Sequence, residues 1–119
     1  MKLDSDLYCY KIREVIKVVD GDTIDVIIDL GFDVYTKQRI RLYAINAPES
    51  RTRDKEEKKR GLAAKARLKE LCAEGDIIVK SYGKGKYGRI LGELYTKKSN
   101  INNILLSEGH AVEYYGGKR

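Results

Sequence analysis

The chain has 119 residues, room for one domain with a modest hydrophobic core and little for a second. Apolar residues make up 42% and charged residues 35%, which excludes a disordered composition, and no run approaches the roughly 18 apolar residues of a membrane helix. A formal charge of +6 and a pI near 9.3 favour a polyanionic partner, most simply nucleic acid.

Tyr8 to Val19, rich in Tyr, Ile and Val, predicts a first strand. Asp20-Gly21 follows as a tight-turn signal. Ile24, Val26, Ile28 and Leu30 then alternate with Asp25, Ile27 and Asp29, the period of two of a strand with one buried face. Gly31 to Asp33 reads as a turn. A third strand spans about Val34 to Ile45, with Ile40, Leu42 and Ala44 on one face and Arg39, Arg41 and Tyr43 on the other. The three strands form a meander that Pro48, the sole proline, brings to an end.

Ser50 to Arg60 is highly charged and reads as a mobile loop or a frayed helix start. Gly61, Ala64, Leu68 and Leu71/Cys72 recur at helical spacing, and this helix should stop near Gly75. Asp76 to Tyr82 predicts a fourth strand, Gly83 to Arg89 a glycine-rich loop, and Ile90 to Tyr95 a fifth strand. Ser99 or Asn100 can cap a second helix with the stripe Ile101, Ile104 and Leu105, and Gly109 suits its C-terminal left-handed position. Ala111 to Tyr115 adds a short extended piece, and 116–119 should fray. The expected fold class is α+β, mainly β: a five-stranded OB barrel with two helices, a single domain over 1–119 with its core at about 8–115.

Three short motifs carry candidate chemistry: Asp20-Gly21-Asp22-Thr23, then Arg41 through Asn46-Ala47-Pro48-Glu49, then Lys86-Tyr87-Gly88-Arg89. Each is ordinary alone, and the first reads adequately as a plain hairpin turn. Together they hold what phosphodiester hydrolysis requires. Positive charge must meet the phosphoryl oxygens, and a positioned water must lose its proton. Planar Arg forks match two phosphate oxygens at once. Asp20 and Asp22 suit Ca²⁺, which takes several oxygen ligands. Glu49 can act as base, while Arg41 and Arg89 can hold the phosphate.

In order, spacing and element pattern, the stretch from about Val15 to Ala111 resembles the staphylococcal-nuclease (thermonuclease) family. The resemblance implies an SNase-like OB barrel and a Ca²⁺-dependent endonuclease that cleaves DNA and RNA and leaves 3′-phosphate ends. It implies Asp22, Asn46 and the carbonyl of Ala47 as metal ligands, with Asp20 behind them. It also implies that Arg41 and Arg89 clamp the scissile phosphate, and that Glu49 orients or activates the attacking water. Two departures bear on the site. Asn46 stands where the family's best-known member has an aspartate, which removes a negative charge and predicts weaker Ca²⁺ binding. Gly85 precedes Lys86 where an acidic residue is often found. The given chain also ends soon after the second helix, short of the family's further C-terminal helix.

Lys84 and Lys86 are candidate phosphate contacts, because the glycines around them let a phosphate approach closely. Tyr82, Tyr87, Tyr114 and Tyr115 can stack on bases, although core or half-buried packing is the expected role of most of them; Tyr87 and Tyr115 are the substrate-binding candidates. Arg51 to Glu70 holds nine Lys/Arg against four Asp/Glu, equally readable as a strand-binding surface or a solvated face. His110, the sole histidine, has no evident partner and is read as structural or as a surface residue; Cys9 and Cys72 are read as buried thiols. The expected partner is DNA or RNA, with no membrane, a monomeric state and a cytoplasmic location unless a leader has been removed. The competing reading is an OB-type nucleic-acid-binding module without catalysis.

Overall fold

In a computed structural model, which describes residues 8–115, β1 (Cys9–Asp20) turns through Gly21-Asp22 into β2 (Thr23–Asp29), with Asp20 paired to Thr23 across the turn. Glycine is required at 21 for space, since a Cβ there would come within 3.0 Å of the Cβ of Ala47. β2 meanders into β3 (Tyr35–Leu42). The remaining elements are β4 (Ile45–Asn46), α1 (Lys55–Cys72), β5 (Ile78–Lys84), a 3₁₀ turn (Lys86–Gly88), β6 (Ile90–Tyr95), α2 (Ile101–Ser107) and β7 (Val112–Glu113). Five strands close a barrel in the order β1-β2-β3-β6-β5, while β4 and β7 form a separate two-stranded ribbon.

Closure depends on β1, which pairs with β2 along one edge and β5 along the other. Its register against β2 shifts at three places, and each shift adds local bend and twist, which lets one strand curl around the barrel. The pairing of β3 with β6 is parallel and every other barrel pairing antiparallel. The alternation read in the sequence sends Ile24, Val26 and Ile28 inward, where they meet Ile40, Leu42, Val79 and Leu94. Ala64, Leu68 and Leu71 of α1 and Ile101 and Leu105 of α2 complete this core. The expected mainly-β barrel with two helices is therefore the observed architecture. The expected frayed tail at 116–119 lies outside the described residues.

Three boundaries differ from expectation. Helix α1 starts at Lys55, inside the stretch read as a mobile loop or a frayed helix start, and it is capped rather than frayed: the Asp54 carboxylate accepts the N–H groups of Glu56 (3.0 Å) and Glu57 (3.2 Å), and both glutamates favour the positive end of the helix dipole. The first turn faces solvent and carries no apolar stripe to betray it. Strand β3 ends at Leu42, not Ile45, because Ala44 adopts a φ of +65° and redirects the chain into β4. Strand β5 runs on to Lys84, which shortens the glycine-rich loop. Cys9 is exposed and Cys72 half-buried, so the expectation of two buried thiols fails for Cys9; both are free. Burial pushes the Cys72 thiol up to about 11.

Among the described residues no helix is long and apolar enough to cross a membrane.

Candidate active site

The ends of β1, β3 and β6 meet on one side of the barrel and carry two adjoining cavities of about 300 Å³ each. The first, an acidic cleft, is bordered by Asp20, Asp22, Arg41, Asn46, Glu49 and Arg89, with Thr23, Ala47, Pro48 and Tyr114 filling its wall. The second, an aromatic cavity, is walled by Tyr43, Leu91, Tyr114 and Tyr115, with Lys86 at its edge. Arg41, Arg89 and Tyr114 belong to both. The three sequence motifs thus converge on a single depression.

Asp22 holds this convergence in place. It sits in the two-residue β1–β2 turn and is buried, 8% exposed. One carboxylate oxygen accepts the Thr23 hydroxyl (2.9 Å), and the other accepts the Ala47 backbone N–H (2.8 Å). The turn also fixes Asp20, whose carboxylate accepts the hydroxyl of the buried Ser50 in a short bond. Two acidic residues of the first motif are therefore bonded directly to both sides of Pro48-Glu49. Helix α1 presses on the same segment, since a Cβ on Gly61 would lie 2.7 Å from the Ser50 nitrogen. Glu49 itself is exposed, and its N–H donates to Glu57 of α1 at 3.1 Å.

Arg41 lies on the outer face of β3, as parity predicts, but its side chain is largely buried rather than freely displayed. The turn at Ala44 lets the following backbone wrap the guanidinium. Nη1 donates to the carbonyls of Leu42 (3.0 Å) and Ile45 (2.7 Å), and Nη2 donates to Asn46 Oδ1 (3.1 Å) and lies 3.6 Å from Asp22. Tyr114 covers it, 5.9 Å from ring centroid to guanidinium carbon. Arg89 is held differently. Its guanidinium lies 5.6 Å from the Tyr87 ring, and its Nε is buried with no hydrogen-bond partner. A buried, unpaired cationic donor costs free energy unless something anionic meets it.

The side chains of Asp20, Asp22, Asn46 and Glu49 that border the cleft offer oxygen as their ligand atom. Their hardness fits a hard cation such as Ca²⁺ and disfavours softer metals. Their charge is modest, and among the described residues no three Asp, Glu, His or Cys side chains are grouped closely enough to hold a metal ion by themselves.

Several candidates lie elsewhere. Lys84 ends β5 and borders a different hollow, beside Tyr10 and Leu30. Tyr87 is 91% exposed with a φ of +64°, and its ring walls neither cavity. His110 is remote from the cleft, 3.8 Å from Glu108. Tyr114, one of the four tyrosines read as able to stack on bases, serves both cavities. Its N–H donates to the carbonyl of Ala44 at 2.9 Å, just past β7.

Residues 39–119 match the staphylococcal nuclease homologue family. The chain is 35% identical over 114 residues to a micrococcal nuclease of Shigella flexneri, covering 87% of this chain and 59% of the relative. It is 34% identical over 101 residues to an uncharacterized endonuclease of Escherichia coli (84% and 59%). It is 36% identical over 108 residues to endonuclease YhcR of Bacillus subtilis, covering 83% of this chain but 8% of that protein. The chain thus spans about three-fifths of the length of the first two relatives.

Proposed function

The chain belongs to the staphylococcal nuclease family, and from that premise we propose that it is a Ca²⁺-dependent endonuclease that hydrolyses phosphodiester bonds of DNA and RNA and leaves 3′-phosphate ends. The observation that carries the proposal is the shared cleft of Arg41 and Arg89, where the Nε of Arg89 is buried without a partner a short way from Asp22 and Glu49. A phosphate placed between the two guanidinium groups would satisfy that donor and neutralise the cleft's cations.

In this reading Arg41 and Arg89 grip the scissile phosphate and meet the charge that grows on its oxygens. Arg41 is already oriented by two backbone carbonyls, so little reorganisation accompanies the reaction. Glu49 is exposed at the mouth of the cleft, where it can orient a water and accept its proton. Asp22, Asn46 and the Ala47 carbonyl are the groups that would hold the cation, and Asp20 with Ser50 would support them from behind. When bound, Ca²⁺ would supply Lewis-acid stabilisation of the phosphoryl oxygens. Lys86 and Tyr115, at the rim and wall of the aromatic cavity, would hold the adjoining nucleotide, and Lys84 and Tyr87 would meet the strand further out. The chain acts as a single domain and as a monomer.

A second reading has an observation of its own. Asn46 lowers the charge of the metal site, as it would in a nucleic-acid-binding barrel that has lost catalysis. Incubating plasmid DNA and RNA with the purified chain, in Ca²⁺ or in chelator, separates the two. Ca²⁺-dependent cleavage that disappears in Arg89→Ala supports the nuclease. Binding without cleavage, indifferent to chelator, supports the binding module and overturns the nuclease.

A further inference from the structure

The outer face of β3, β6 and β5 continues past the aromatic cavity into a second aromatic structure. Glu93 and Tyr95 on β6 and Lys80 and Tyr82 on β5 alternate with the buried Gly92, Leu94 and Val79, so they share the face turned away from the core. Tyr43, one residue past β3, lines the aromatic cavity. Its ring lies against that of Tyr82, with centroids 4.0 Å apart and planes within 14°. The Tyr82 hydroxyl donates to Glu93 Oε1 at 2.7 Å, and that carboxylate is itself fixed by Tyr95 (2.8 Å) and by the Asn100 amide (2.9 Å). Lys80 Nζ stands 5.5 Å from the Tyr82 ring centroid.

This is an aromatic ring held by stacking and by a hydrogen-bonded anchor, yet 42% exposed. Core packing does not account for it, since Tyr43, Glu93 and Lys80 order the ring on the outer face of the sheet, away from the core. Its inner neighbour opens on the cavity, and the flexible Lys80 head lies over the ring, where an incoming base would displace it toward the base's own phosphate. An aromatic face with a nearby Lys is the arrangement that accepts an unpaired base and its phosphate, in any sequence.

We propose that Tyr82 is an outer stacking platform for a base of the same single strand, the base next beyond the nucleotide held against Tyr43 in the aromatic cavity, with Lys80 meeting the intervening phosphate. The proposal rests on the nuclease reading and adds to it a preference for strands that extend beyond the cavity. The anchor keeps the ring from collapsing onto the sheet, so the strand does not have to order it on binding.

The test is steady-state cleavage, in Ca²⁺, of a thymidine dinucleotide phosphorylated at both ends and of octathymidylate. The readout is the ratio of kcat/KM for the octamer to that for the dinucleotide, measured within one protein so that any loss of folded material cancels. The ratio should fall about tenfold in Tyr82→Ala, through KM, as expected for loss of one base–aromatic contact. Tyr82→Leu, which keeps an apolar cover on Tyr43, should lose it as well, and Tyr82→Phe should keep most of it. A wild-type ratio in both Tyr82→Ala and Tyr82→Leu overturns the platform and leaves the nuclease reading standing. Failure of the wild-type chain to cleave either substrate overturns the nuclease reading, and the platform with it.

Discussion

The carboxylate of Asp22 accepts the backbone N–H of Ala47 at 2.8 Å, across 25 residues of sequence, and this bond joins the β1–β2 turn to the loop that carries Glu49. Replacing Asp22 with Ala leaves that N–H, in a residue only 4% exposed, without its partner. The expected cost is about 1–3 kcal/mol of stability, the penalty for a buried polar group left unpaired. Cleavage should fall as well, because Asp22 both positions the loop and offers a ligand. Urea unfolding followed by circular dichroism checks the first effect; an unchanged midpoint would show that the bond contributes nothing.

Arg89 should behave in the opposite way. Its Nε is buried and unpaired, so replacing the guanidinium with an apolar chain removes a desolvation penalty and gives up only the contact with the exposed Tyr87 ring. Arg89→Met should unfold at the same or higher urea concentration than the native chain. Its kcat should nonetheless fall by about 10²–10³, the usual loss when a preorganised transition-state donor is removed. A variant that is destabilised and fully active would remove Arg89 from the site and make it a structural residue.

The contrast between these residues also marks how much the sequence could reveal. The barrel was legible because Ile24, Val26 and Ile28 alternate cleanly and Asp20-Gly21 announces the turn. The convergence of the three motifs was legible as a pattern of side-chain types. What Asp22 bonds to was not, since a two-residue turn leaves side-chain direction undetermined until Gly21 packs against Ala47 and Ala64. The outward direction of the Tyr87 ring was not legible either, because nothing local signals that this residue takes a left-handed φ. Lys84 was read as part of a loop because the glycines on either side hide the continuation of β5. The start of α1 stayed open between a loop and a frayed helix start because a solvent-facing first turn has only its cap, Asp54, to mark it.

Gly61 tests whether α1 shapes the site as well as the core. In an exposed helix interior, Gly→Ala gains about 1 kcal/mol from helix propensity. Here the added methyl would be driven into the backbone of Glu49 and Ser50, which cannot move without disturbing the bond between Ser50 and Asp20. The clash should win, with a net loss of about 1–3 kcal/mol, typical of overpacking. A rise in KM or a fall in kcat should accompany it as Glu49 shifts. Thermal unfolding of Gly61→Ala decides the sign; stabilisation would mean the Glu49–Ser50 segment yields freely.

Acid should weaken the Tyr82 anchor. Burial pushes the Glu93 carboxyl up, but hydrogen bonds from Asn100, Tyr82 and Tyr95, with Lys80 nearby, outweigh it, and the group titrates below the usual glutamate range. A depressed folded-state pKa means that the contribution is fully present above the unfolded value and lost as pH falls through the folded one. Between about pH 5 and pH 3 the native chain should therefore lose stability more steeply than Glu93→Gln, whose amide does not titrate. Urea midpoints measured across that range check this; parallel curves would mean that Glu93 is not coupled to folding.

Asn46 carries the sharpest prediction about the metal. Its Oδ1 already accepts a bond from Arg41, and its neighbour Asp22 is engaged by Ala47 and Thr23, so a cation arriving here meets oxygens that are polar but weakly charged. Asn46→Asp keeps the size and adds one negative charge at the same atom. Two effects then compete. The new carboxylate would pair more strongly with Arg41, which lies 3.1 Å from the present amide oxygen, and that pairing opposes its turning toward a metal. It would also attract Ca²⁺ as a formally charged ligand does. The divalent charge and the several oxygens available to share it favour the second effect, because ligand charge count is what tunes such sites. Ca²⁺ affinity should rise by about tenfold in Asn46→Asp, read by displacement of Tb³⁺ whose luminescence the site's tyrosines sensitise. Equal affinities would show that Arg41, and not the metal, takes up the added charge. Cleavage in the same variant would then be expected to fall, since the guanidinium would be withheld from the phosphate.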